Sequence, residues 1–126
     1  MPARSTDETA GTVAIARWRA AMRWRRLVDE KLAPVGLSLT QWLVLESSLA
    51  LSEESGGAVS QSQIARRVEF DKMTVSKLMS TLERRGFVSR GPDLAGPAYR
   101  IIVTSTGRRA VFAGRRQIEA ASRSKR

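Results

Sequence analysis

Apolar residues recur at helical spacing in five stretches of this chain, and most stretches are bounded by residues that start or stop helices. Between Thr12 and Leu32, the positions Ala14, Trp18, Ala21, Trp24, Val28 and Leu32 follow i+3/i+4 steps, and Ile15, Met22 and Leu27 widen the stripe. Pro34 and Gly36 then break the pattern. A second helix is predicted from Leu39 to Ser52, with Ser38 and Gln41 at capping-box spacing and Leu39, Trp42, Leu43 and Leu49 on its core side. Ser60 and Gln63 repeat that box before a short helix, Gln61 to Val68, whose stripe is Ile64, Ala65 and Val68. Asp71 is the predicted N-cap of the next helix, where a carboxylate meets free N–H groups and the positive end of the helix dipole. Val75, Leu78, Met79 and Leu82 give that helix one buried face, and Gly86 ends it because glycine takes positive φ at no steric cost. The segment SEESGGAVS, Ser52 to Ser60, is expected to be a flexible acidic turn. A last helix, Thr106 to about Ser122, carries Ala110, Val111, Ala113, Gln117, Ile118 and Ala121 among many arginines.

After Gly86 the helical period is lost. Phe87, Val88 and Ser89 begin a strand, and the β-branched run Ile101, Ile102 and Val103 returns from it. Gly91, Pro92, Gly96 and Pro97 punctuate the loop between. The expected fold is therefore mostly α with a small β-hairpin wing (α+β), a winged helix-turn-helix. Residues 1–11 read as a flexible leader, 12–36 as an N-terminal helix, 37–105 as the winged unit and 106–126 as a basic helix and tail.

Each part of that order has a place on a DNA duplex, the second helix of the pair lying in the major groove. Its outward face is predicted to hold Met73, Lys77, Ser80 and Arg84, flanked by Thr74 and Ser76. Apart from the cap at Asp71 this face has no carboxylate. Small hydroxyls and cations suit a groove where bulk is limited and phosphates repel acids, although a solvated surface is the ordinary alternative. Thr74, Ser76, Lys77 and Ser80 are the candidates for base edges or nearby phosphates. Lys72, Arg84, Arg90 and Arg100, with Ser62 and Gln63 at the start of the preceding helix, are the candidates for the backbone.

Charge points the same way. The 126 residues carry 22 Lys and Arg against 12 Asp and Glu, a net charge of +10, which indicates a polyanionic partner. Basic charge alone would equally fit RNA or anionic lipid. The chain has neither Cys nor His, so the commonest general base, the best nucleophile and the usual transition-metal ligands are missing. No phosphate-cradling glycine loop is present. An enzyme, a cofactor and a metal site are not expected. No apolar run is long enough for a membrane span, and a cytoplasmic, nucleoid-associated location is the default.

In its ordered motifs the chain resembles the MarR family of bacterial transcription regulators. The matching stretches are LSLTQWLVL (Leu37–Leu45), SQSQIARRV (Ser60–Val68), MTVSKLMSTLERRGFVSR (Met73–Arg90) and VTSTG (Val103–Gly107). Leu82, Glu83, Gly86, Phe87, Val88 and Arg90 fit the family's LExxG-hydrophobic-V-x-R run. Thr104 and Gly107 keep its LTxxG run, with Val103 in place of the leucine. The resemblance implies a sequence-specific regulator of double-stranded DNA, a repressor in the main, working as a homodimer on a pseudo-palindromic operator. It also implies a dimerisation role for the first helix, with Trp18, Ala21, Trp24 and Val28 as contacts. Packing within one chain, or on a membrane surface, are the other readings of that helix. A small apolar or aromatic effector would fit beside Trp42, although a core role for that Trp is the commoner case.

The sequence departs from the family in two places. The wing tip, DLAGPAY (Asp93–Tyr99), lacks the usual arginine pair, so minor-groove reading by the wing is not expected to carry over unless Arg90 and Arg100 replace it. Room for a single helix after Gly107 leads to the expectation of a reduced dimerisation apparatus. Those departures motivate the competing reading, a basic winged-helix adaptor or nonspecific nucleic-acid binder without an operator.

Overall fold

Among the described residues, five helices and three short strands follow the order that the patterning predicts, with one strand added. The structure, a computed structural model, describes residues 6–92 and 99–123. The elements are α1 (Thr6–Leu32), α2 (Leu39–Ser55), β1 (Val59–Ser60), α3 (Gln61–Val68), α4 (Lys72–Arg84), β2 (Val88–Pro92), β3 (Tyr99–Val103) and α5 (Ser105–Arg123), with a 3-10 turn at Ala33–Val35. Most of the expected wing tip, residues 93–98, lies outside the described residues, as do residues 1–5 and 124–126.

Helix α1 starts at Thr6 rather than Thr12, so residues 6–11 are helical where a flexible leader was expected. Asp7 and Glu8 occupy its first turn, where carboxylates complement unpaired N–H groups. Helix α2 likewise runs on to Ser55 and closes at Gly56 (φ 78°), which shortens the expected acidic turn. Both predicted capping boxes are formed. Ser38 Oγ accepts from Gln41 N and Gln41 Oε1 accepts from Ser38 N; Ser60 and Gln63 repeat the exchange. Such a cap contributes about 1 kcal/mol. The α2 start has a further support: Asp29 Oδ1, from α1, accepts from Leu39 N at 2.7 Å.

The added strand is β1. Its two residues pair with β3, Val59 opposite Ile101 and Ser60 opposite Arg100, in a sheet of order β1-β3-β2. The hairpin partner β2 is antiparallel, with Val88 opposite Val103 and Arg90 opposite Ile101. Val59 and Ile101 face inward and are fully buried.

The core gathers around α2, which touches α3, α4, α5 and β3. Leu32, Leu45, Leu49, Ile64, Met79, Leu82, Ile101 and Val111 are sealed from solvent. Because neighbours surround α2, its buried residues do not form one stripe: Val44, Leu45 and Ser48 are buried, while Leu43 is half-buried. Trp42 is core as well. Its Nε1 donates to the Val111 carbonyl at 3.3 Å, and Gly114 of α5 lies flush against the indole. This matches the commoner reading of Trp42 as a core residue, with α5 packed against its indole.

The VTSTG motif joins wing to α5. Thr104 Oγ1 donates to the Gly86 carbonyl at 2.6 Å and accepts from Gly107 N at 3.0 Å, which caps α5 and ties it to the end of α4. Thr104 N also donates to the Phe87 carbonyl at 3.1 Å.

Candidate nucleic-acid interface

Helix α4 is positioned by its start, its buried stripe and one arginine. At the start, the Asp71 carboxylate accepts from Thr74 N at 2.7 Å. That backbone N–H, then the Thr74 side chain, hold the Asp71 carboxyl below the usual carboxylate range. Along the stripe, Val75, Met79 and Leu82 are fully buried. Gly86 (φ 79°) then turns the chain into β2.

The arginine is Arg90, read from the sequence as a backbone contact flanking the wing. The structure turns it inward. Its Nη2 donates to Ser80 Oγ at 2.8 Å, and its Nη1 to Gln61 Oε1 at 3.0 Å and the Ser76 carbonyl at 3.4 Å. Glu83 Oε1 lies 3.5 Å away, and only 16% of the Arg90 side chain is exposed. One guanidinium thus joins α3, α4 and β2, which makes Arg90 a staple within the unit. Its planar fork of donors suits this task better than an ammonium would. Sequence reasoning missed Gln61 and Glu83 as its partners; no local pattern links residues 29 apart, as Gln61 and Arg90 are.

We expect Arg90→Met to destabilise the free protein by about 2–3 kcal/mol, since hydrogen bonds to a charged group are lost. Urea unfolding without DNA checks it. An unchanged midpoint combined with a flatter salt dependence of DNA binding would return Arg90 to the phosphate contacts.

The other candidates divide by what their atoms already do. Lys72, Met73, Thr74, Lys77 and Arg84 are exposed on α4. Ser76 and Ser80 are half-buried, and Ser80 Oγ, besides accepting from Arg90, donates to the Ser76 carbonyl at 3.0 Å. Gln63 spends its carbonyl oxygen on the α3 cap, and Ser62 beside it is half-buried. Arg100 is exposed next to β1, donating to the Ala58 carbonyl at 3.4 Å. Lys72, Lys77 and Arg84 make the exposed face of α4 cationic, and Arg100 adds an exposed cation on β3. Among the described residues no cluster of His, Cys, Asp or Glu could hold a metal ion.

Residues 35–95 match the family model described as MarR family. This segment is a MarR-family domain. YdcH of Bacillus subtilis (strain 168), an uncharacterized HTH-type transcriptional regulator, is 33% identical over 76 residues, which are 60% of this chain and 51% of YdcH. The chain therefore spans about half the length of that curated relative. A MarR-family transcriptional regulator from Rhodococcus sp. RHA1 superposes with a TM-score of 0.76 at 25% identity, covering 95% of this chain and 81% of that one. CouR from Rhodococcus jostii RHA1, solved with p-coumaroyl-CoA, gives 0.74 at 25% identity over 87% and 74% of the two chains. The MarR-family domain covers α2 to β2, so the candidate surface on α3 and α4 falls within it.

The residues assigned to dimerisation lie outside that segment and have unlike surroundings. Val28 is fully buried in this chain's own core and is not available to a second copy, because the C-terminal part of α1 packs over α2 and α5. Trp24 is half-buried against the same core. Ala21 is exposed, and Trp18 is 64% exposed. The described part of α1 from Asp7 to Ala21 is exposed throughout, with Val13 and Ile15 among its apolar residues. No described helix is long and apolar enough to cross a membrane.

Proposed function

We propose that this protein is a DNA-binding transcription regulator that places α4 in the major groove, and that it acts as a homodimer on a pseudo-palindromic operator, as a repressor. The observation carrying this reading is the outward face of α4. It presents Lys72, Met73, Thr74, Lys77 and Arg84 to solvent, while Arg90 fixes the helix against the wing. A surface of cations and small side chains on a braced helix is what base and phosphate contact requires. The family of the segment supports the same assignment. Dimer formation is supported by the exposed apolar residues in the Asp7–Ala21 part of α1, since that part is exposed throughout and gains stability by burying its apolar face elsewhere.

A footprint on DNA upstream of the protein's own gene, with excess random competitor at near-physiological salt, tests the proposal. A protected stretch with two-fold symmetry is expected, its half-sites about one helical turn apart. Smeared protection would leave a nonspecific nucleic-acid binder, and strictly monomeric light scattering at micromolar concentration would remove the dimer.

Within this reading, Lys77→Ala weakens specific binding by about 1–3 kcal/mol if Lys77 meets a base. It lowers the slope of log K against log salt by about one unit if Lys77 meets phosphate instead. Lys77 drops from the interface if titrations at several salt concentrations superimpose on the parent's.

A further inference from the structure

Of the α4 hydroxyls that sequence reasoning assigned to base reading, that of Ser80 is engaged within the protein, as is that of the neighbouring Thr81, which was not among them. Ser80 Oγ accepts from Arg90 and donates to the Ser76 carbonyl. Thr81 Oγ1 donates to the Lys77 carbonyl at 3.3 Å and accepts from Arg84. Thr74 donates its backbone N–H to the Asp71 carboxylate at 2.7 Å, which fixes the start of the helix. Donating to a base edge from Ser80 or Thr81 would require breaking a bond that shapes the helix. The first turn, which meets base edges when a recognition helix enters the groove, presents two large exposed side chains, Lys72 and one that is apolar. The apolar one is Met73, 69% exposed.

We infer that Met73 is a specificity residue that reads a thymine through its C5-methyl group. A thioether side chain offers no donor and only a weak acceptor, so it gains little from phosphates or from the polar edges of G, C or A. The thymine methyl is the apolar feature of the major-groove edge, and contact with it removes two apolar surfaces from water. The flexible, polarisable Met side chain adapts to that surface. Lys77 lies one turn further along the same face, about 6 Å away, so the thymine falls within about two base pairs of whatever Lys77 contacts. Each half-site then carries a thymine that this chain recognises by shape and apolarity.

The inference rests on α4 being the major-groove helix, and the test separates the two. Starting from the footprinted duplex, each thymine of a half-site is replaced in turn by deoxyuridine, which keeps the base pair and removes only the methyl. One replacement should weaken binding of the parent protein about three- to fivefold, the value of one buried carbon group. Met73→Ala should bind the unmodified duplex more weakly and be indifferent to that same replacement, while Thr74→Ser should keep the parent's sensitivity. Specific binding with no methyl-sensitive thymine would overturn the Met73 assignment and leave α4 in the groove. Sensitivity that survives in Met73→Ala, or disappears in Thr74→Ser, would overturn it as well. Absence of any protected sequence would remove the major-groove reading, and the assignment with it. Met73 is exposed and supports no core contact, so its replacement leaves the fold intact, checked by an unchanged melting temperature.

Discussion

Replacing Gly107 by alanine should cost the protein about 3 kcal/mol or more, at the upper end of what overpacking does to a core. A Cβ built at Gly107 would lie 2.0 Å from the Phe87 carbonyl oxygen and 2.9 Å from a Val103 methyl. A flexible side chain could swing away, but the nearer neighbour is backbone. That carbonyl is held in place by the Thr104 N–H, which donates to it at 3.1 Å. Relief therefore requires moving α5 away from the start of β2, which loosens the Thr104 cap and the link from α4 to α5 together. Thermal unfolding should fall by roughly 10 °C for a loss of that size in a domain of this length. Gly11→Ala provides the control. It is also a glycine in a helix, with nothing within 4 Å of an added Cβ, and alanine there should stabilise by about 0.5–1 kcal/mol. A Gly107→Ala midpoint as high as the parent's would mean that the two helices are not held as closely as described.

The second large effect is a coupling between Trp42 and Gly114. Trp42→Ala removes a buried indole and should destabilise by about 3–5 kcal/mol. Gly114→Ala should destabilise by about 3 kcal/mol, because its Cβ would meet the indole Nε1 at 2.1 Å and Cδ1 at 2.4 Å. The pair should be far from additive. With the indole gone, the new methyl enters the vacated space, so Gly114→Ala should be nearly neutral or stabilising in the Trp42→Ala background. Denaturant unfolding of the four proteins gives the interaction energy directly, and contacting residues commonly couple by about 0.5–3 kcal/mol. Additive losses would show that α5 does not rest on that ring. The Glu46–Arg115 pair, bonded at 2.6 and 2.7 Å between α2 and α5, holds the same two helices at their edge. Its hydrogen bond to Glu46 raises the pKa of Arg115.

What the sequence revealed about the fold was local. A capping box needs two residues three apart, and a C-terminal glycine follows its own helix, so the limits of α3 and α4 were legible. The same holds for the motif at Thr104 and Gly107, although the reason for the glycine, a carbonyl pressed against it, was not. Strand β1 was illegible because two residues have no period; Val59 becomes a strand only by lying beside Ile101. The site shows the same limit more sharply. Exposure of Lys72, Met73 and Lys77 follows from helical phase, whereas the inward turn of Arg90 depends on Gln61, Ser76, Ser80 and Glu83 meeting in space. In α1 the helical phase marked Val28 and Trp18 alike as apolar. Only the packing of α2 and α5 decides that the first is core and the second surface.

The inward Arg90 separates two kinds of change open to this chain over generations. The side chains that hold the reading unit together, Arg90, Ser80 and the buried stripe of α4, do not face outward, and altering them sacrifices folding. Met73 and Lys77 face outward and bear no part of the architecture, so they are free to vary. On the proposed role of α4, a shift in which DNA is recognised would accumulate one substitution at a time, each intermediate as well folded as its ancestor.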